Sequence, residues 1–195
     1  MMIQRRMFAS SVVLNQSTLW VTGGEEHFNA LSTTEFITLD QAAATGPKLP
    51  FTISHHGMIK LNDHAIYIIG GWQNGSRSRD TWIVDLSNNG FDIKKGPSLN
   101  QARKYFSCGK MLAHDKVLLV VAGGYTDTVE ILDPSSAGQG WIFGKFKYQS
   151  ILCNDKSSKT FSCFRSKIAI CIKWFFNGNF SQWKKIGCHW RMELE

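Results

Sequence analysis

The 195-residue chain is 43% apolar, 12% aromatic and 19% charged, a balance that excludes a disordered polymer. Its longest apolar stretches, residues 116–124 and 168–176, are too short to cross a bilayer, which takes about 20 apolar residues. The net charge of +7 is not spread along the chain: residues 1–144 hold 12 Lys+Arg against 12 Asp+Glu, and residues 145–195 hold 10 against 3.

Residues 5–8 open the first predicted unit. The N-terminal Arg5-Arg6 is followed by Ser10, Ser11, Asn15, Gln16 and Ser17, too polar for a signal-peptide core, so a cytoplasmic location is expected. Strands are predicted over 8–14 and 19–22, joined by a turn at Asn15-Gln16-Ser17, because Asn tolerates left-handed dihedrals and bonds its own backbone. Gly23-Gly24 ends the second strand, and a polar loop leads to a third β-rich run, 35–40, closing on Asp40. Gly46-Pro47-Lys48-Leu49-Pro50 then opens a second unit. That unit repeats the pattern with a turn at Asn62-Asp63, the apolar run 66–69, Gly70-Gly71 and the run Trp82-Ile83-Val84-Asp85. After Gly96-Pro97-Ser98-Leu99-Asn100 comes a third unit, with a turn at His114-Asp115, the run 117–122, Gly123-Gly124 and the run 129–133.

The offsets align across all three units. Arg5, Thr52 and Arg103 lie 18, 18 and 20 residues before the first glycine of each pair, and Phe8, His55 and Phe106 follow them by three. The middle strand is apolar on both faces, as expected of a strand sandwiched between neighbouring sheets. Glycine after it suits a turn where backbones pack closely. A period near 50 residues built from short strands points to a propeller.

The Gly-Gly after an apolar strand, the upstream Arg, the β-run ending in Asp and the Gly-Pro-x-Leu linker together resemble kelch repeats. The resemblance covers residues 5–144, with Thr52 in place of one Arg and a later aromatic present only as Trp141. It implies an all-β, incomplete kelch-type β-propeller of about three blades (5–46, 52–96 and 103–144), followed by an unrelated basic tail over 145–195. It also implies a protein-interaction module rather than an enzyme, binding a peptide or protein partner through loops on one rim. By that resemblance the rim carries Arg5, Arg103, Arg77, Arg79, Trp72, Asn74 and Tyr125. Arginine forks suit carboxylate or backbone acceptors and aromatics supply contact area, so an acidic or polar peptide is the expected ligand. Gly23, Gly24, Gly70, Gly71, Gly123 and Gly124 are the structural glycines of the repeat.

His55-His56, His27, His64 and His114 have no carboxylate or thiol at ligand spacing, and His55, in the place of Phe8 and Phe106, is expected to be a packed strand residue. Cys153, Cys163, Cys171 and Cys188-His189 lack the short gaps of a zinc knuckle. No metal, cofactor or catalytic residue is therefore expected. A kelch-fold oxidase uses copper, two tyrosines and two histidines, and neither that set nor the groups of a sialate-mutarotase-like enzyme can be placed on this sequence. The sequons Asn15-Gln16-Ser17, Asn74-Gly75-Ser76 and Asn179-Phe180-Ser181 carry no meaning without secretion.

The basic, aromatic tail has the composition of a single-strand nucleic-acid binder, but nucleic acid is not the expected partner. The tail is open to three explanations: read-through past a splice junction, a cap on the third unit, or a degenerate fourth blade. Three blades cannot close a ring. The end faces would then present Leu19, Val21, Leu118 and Val120 to water or to the tail, and self-association through open edges is expected.

Overall fold

In the computed structural model, residues 1–87, 90–113, 115–136 and 138–144 are described. His114, the tail cysteines, the tail aromatics and the sequon at Asn179 lie outside them. Among the described residues all regular structure is β, in antiparallel sheets of which none closes on itself.

Each repeat folds into one four-stranded sheet. The first unit contains β1 (Ser10–Val13), β2 (Thr18–Thr22), the short pair β3 (Glu25–Glu26) and β4 (Asn29–Ala30), then β5 (Thr34–Thr38) and β6 (Ala44–Thr45). Its sheet has the order β1-β2-β5-β6. The second unit contains β7 (Ile53–Ser54), β8 (Gly57–Lys60), β9 (Ala65–Ile69), β10 (Trp72–Gln73), β11 (Ser76–Arg77), β12 (Thr81–Asp85) and β13 (Asp92–Lys95). Here β8-β9-β12-β13 form the main sheet, and β7-β10-β11 form a small one. The third unit is the sheet β14 (Phe106–Ala113), β15 (Lys116–Gly123), β16 (Val129–Leu132) and β17 (Ile142–Gly144).

Local chemistry explains the boundaries. At the first turn Asn15 Oδ1 accepts the Ser17 and Thr18 N–H groups at 3.0 and 2.9 Å, and Asn62 Oδ1 accepts the His64 N–H in the same way. Asp85 and Asp133 stop the third strands by accepting the N–H of the residue two further on. After β2 and β9 the glycine pairs are left-handed (Gly24 φ +95°, Gly71 φ +92°). Their N–H groups donate to the Ile53 and Arg103 carbonyls of the following unit. A Cβ on Gly71 would lie 2.6 Å from the Ser54 carbonyl oxygen, which is why only glycine fits.

The two-sided apolar strands are explained by packing. Trp20, Ile66, Ile68 and Val84 share one buried cluster with Val12, Phe51 and Ile53. Tyr67 and Ile69, on the other face of β9, join Leu119, Val121, Leu132 and Trp141 in a second. The middle sheet is thus covered on both faces. Linkers close the clusters: Leu49 and Leu99 are buried, and Trp141 Nε1 donates to the Pro97 carbonyl at 2.9 Å. Of the side chains expected on the end faces, Val21, Leu118 and Val120 are buried and Leu19 is half-buried.

Candidate functional site

The upstream arginines hold the repeat together. Arg103 is 0% exposed, and its guanidinium is used up internally. Its Nε and Nη2 donate to Glu130 Oε1 (3.0 and 2.9 Å), Nη1 to the Gly123 and Thr128 carbonyls (2.6 and 3.0 Å), and Nη2 to Thr128 Oγ1 (2.6 Å). Glu130 completes its shell with the Asn100 and Gln101 N–H groups. The same set recurs in the first unit on Arg6, which donates to the Gly23 and Thr33 carbonyls and to Glu35. Glu35 in turn accepts the Ile3 and Gln4 N–H groups. Burial alone would raise the Glu35 carboxyl, but the Arg6 hydrogen bond and the two N–H donors outweigh it and hold the group below the usual carboxylate range.

Two expectations are corrected by this geometry. Arg103 offers no fork to a partner, and the repeat arginine of the first unit is Arg6, not Arg5. Arg5 is exposed, on a cleft of about 330 Å³ that Arg6, Met7, Glu25, Glu26 and His27 also line. In the second unit the matching position is Ile53, not Thr52, because Ile53 presents its carbonyl to Gly24 as Arg103 does to Gly71. Opposite it, the register position of Glu35 and Glu130 is Trp82, which stacks on Phe51 at 4.5 Å. An apolar set there replaces the ion pair.

Two residues beyond each of these positions the chain turns left-handed, at Phe8 (φ 55°), His55 (φ 54°) and Tyr105 (φ 57°). His55 is therefore packed but lies between strands, and its third-unit counterpart is Tyr105 rather than Phe106. Backbone bonds run from His55 N to Phe8 O (2.9 Å) and from Tyr105 N to His55 O (3.4 Å). The rings form a ladder: Phe8 stacks on His55 at 4.1 Å, His55 meets Tyr105 edge-on at 4.1 Å, and Tyr105 meets Tyr125 at 6.0 Å. Phe8, Tyr105 and Tyr125 are 48%, 50% and 73% exposed. Lys104 lies over Trp72 at 4.4 Å and over Tyr105 at 5.2 Å, and Arg77 lies over Tyr125 at 6.0 Å. Among the described residues neither cation forms a salt bridge.

Of the residues expected on a rim, Trp72, Arg77 and Tyr125 are thus gathered at one place. Asn74 is exposed at the tip of the β10–β11 hairpin, and Arg79 is exposed, its carbonyl accepting the Leu99 N–H. Phe8, His55, Lys104 and Tyr105 were missed. Their signal is an aromatic two residues after each buried arginine or isoleucine.

Beneath the ladder, Ser54 Oγ donates to Glu25 Oε1 at 2.6 Å, and His55 Nδ1 lies 2.9 Å from Ser54 Oγ and 3.2 Å from Glu25 Oε1. With the serine proton committed to the carboxylate, Nδ1 is the protonated nitrogen and Nε2, which has no partner, is a bare lone pair. Ser54 is 0% exposed and bonds the wrong imidazole nitrogen for a relay, so the trio positions His55 and does not form a nucleophile. Burial lowers the His55 pKa, against the pull of Glu25 and with a further push from Lys104. Burial takes His56 down to about 3. Both rings are neutral at pH 7. Among the described residues no three His, Cys, Asp or Glu side chains converge as a metal site, and no helix is long and apolar enough to cross a membrane. Neither family models nor curated proteins give a match to this chain.

Proposed function

We propose that the three sheets are consecutive kelch-type propeller blades and that the chain is a non-enzymatic interaction module. Its ligand is a peptide segment of a protein partner, bound across Phe8, Tyr105, Tyr125 and Trp72 together with Lys104 and Arg77, which lie over these rings. One observation carries the reading: the exposed rings of Phe8, Tyr105 and Tyr125 stand on left-handed backbone, where small residues would be less strained, and beside them lie Trp72 and two cations, Lys104 and Arg77, that have no carboxylate partner among the described residues. Aromatic and arginine clusters of this kind dominate binding energy at interfaces, and the unpaired cations favour an acidic ligand. Bulky side chains on strained backbone at a solvent face support a ligand role over a packing role.

The test is selection of a displayed random-peptide library on the immobilised full chain. Peptides combining acidic residues with an apolar or aromatic anchor should be enriched. Tyr105→Ala and Arg77→Ala should each weaken the selected peptides about tenfold, or about 1.4 kcal/mol. Enrichment of no sequence class, or binding unchanged in both variants, defeats the proposal.

A further inference from the structure

The hairpin β10–β11 carries a reactive dipeptide at its tip. Trp72 pairs with Arg77 and Gln73 with Ser76, leaving Asn74-Gly75 as a two-residue turn with φ of +48° and +83°. Asn74, Gly75, Ser76 and Arg77 are all exposed, and nothing lies within 4 Å of a Cβ built on Gly75. Among the described residues the Gly75 N–H has no acceptor. Thr52 Oγ1 donates to Asn74 Oδ1 at 3.4 Å, polarising the side-chain carbonyl while the amide nitrogen stays free. The hairpin is only two residue pairs long, so its opening costs little.

We infer that Asn74 is a site of spontaneous deamidation, a built-in chemical modification of the loop that bears Trp72 and Arg77. The Gly75 backbone nitrogen attacks Asn74 Cγ and gives up its proton. The Cγ–Nδ2 bond breaks, and ammonia leaves. Water then opens the resulting succinimide at either carbonyl, yielding aspartate or isoaspartate. No other reactant is needed, and each event adds one negative charge beside Arg77. Exposed asparagine is recognised as a labile residue, and here the nucleophile, the polarised carbonyl and the unhindered turn coincide. Asn15, Asn29, Asn62 and Asn100, the other described asparagines, precede bulkier residues.

The experiment incubates the full chain at mildly alkaline pH and follows each asparagine by peptide mass spectrometry, with isoaspartate detected by enzymatic methylation. Asn74 should convert on the order of tenfold faster than Asn29, Asn62 or Asn100, a barrier lower by about 1.4 kcal/mol. Both acid products should appear. Gly75→Ala, which meets no neighbour, should suppress the conversion by placing a methyl group beside the attacking nitrogen, and Thr52→Val should slow it. Equal rates at Asn74 and at Asn29, Asn62 and Asn100 would overturn the inference, as would an undiminished rate in Gly75→Ala.

Discussion

Replacing Arg103 with alanine should cost more stability than any surface change in this chain. Both Arg103 and Glu130 side chains are 0% exposed, so the substitution strands a buried carboxylate and removes the donors to the Gly123 and Thr128 carbonyls. Breaking a buried pair at one partner costs about 3–5 kcal/mol, against a total of about 5–15 for an ordinary domain. With a urea slope of about 2 kcal/mol/M, the unfolding midpoint should fall by roughly 1.5–2.5 M, read by tryptophan fluorescence. The double variant Arg103→Met/Glu130→Leu removes both charges and should recover part of that loss, because no lone charge remains buried. Recovery will be incomplete, since the Asn100 and Gln101 N–H groups still lose an acceptor. The Ile53 and Trp82 positions of the middle unit are the internal precedent for an apolar solution. A midpoint shift below about 0.5 M for Arg103→Ala, or strictly additive single effects in the cycle, would refute the reasoning.

Four further outcomes are expected. Arg6→Ala should destabilise by an amount comparable to Arg103→Ala, whereas Arg5→Ala should stay within about 0.5 kcal/mol, both by urea titration. Because the buried histidines have folded pKa values below their unfolded value of about 6.5, the unfolded chain binds more protons; stability is therefore full above that pH and falls as the solution is acidified. For His56 the decline continues down to about pH 3 at about 1.4 kcal/mol per pH unit, and His56→Gln should flatten it. The Glu35 contribution is present above pH about 4.3 and is lost as pH falls through its lower folded value, so Glu35→Gln should remove the most acidic part of the curve. Finally, Gly71→Ala should destabilise clearly more than Gly75→Ala in thermal melts, since both are left-handed but only the first meets a backbone oxygen.

The glycine pairs were legible because three copies of one steric requirement stand at nearly constant spacing, and the two-sided apolar strands between them marked the sheets. The register of the upstream residues was not. Arg6, Ile53 and Arg103 lie 17, 17 and 20 residues before their glycines, and the longer third hairpin, with β14 and β15 of eight residues each, hides the match. Arg5 beside Arg6 and Thr52 beside Ile53 made a one-residue slip cost nothing in pattern. The acidic partners were equally hidden: Trp82 at the position of Glu35 and Glu130 meant that no Arg–Glu spacing recurred in all three copies. The aromatic ladder depends on left-handed dihedrals at residues that are not glycine or asparagine, which no propensity argument anticipates. Tyr105 was also masked by Phe106, its neighbour.

Phe8, His55 and Tyr105 hold a conformation that costs a side-chain-bearing residue about 1–2 kcal/mol relative to glycine. At Tyr105, which is half exposed, the ring contacts with Phe8, His55 and Tyr125 offset that strain, so truncation to glycine should change the stability of the fold little. Most interfaces force a choice, because the side chain that grips a partner also props up the scaffold. At this position the two are decoupled, and a chain with Gly at 105 is the natural blank: equally folded, equally charged and missing only the ring.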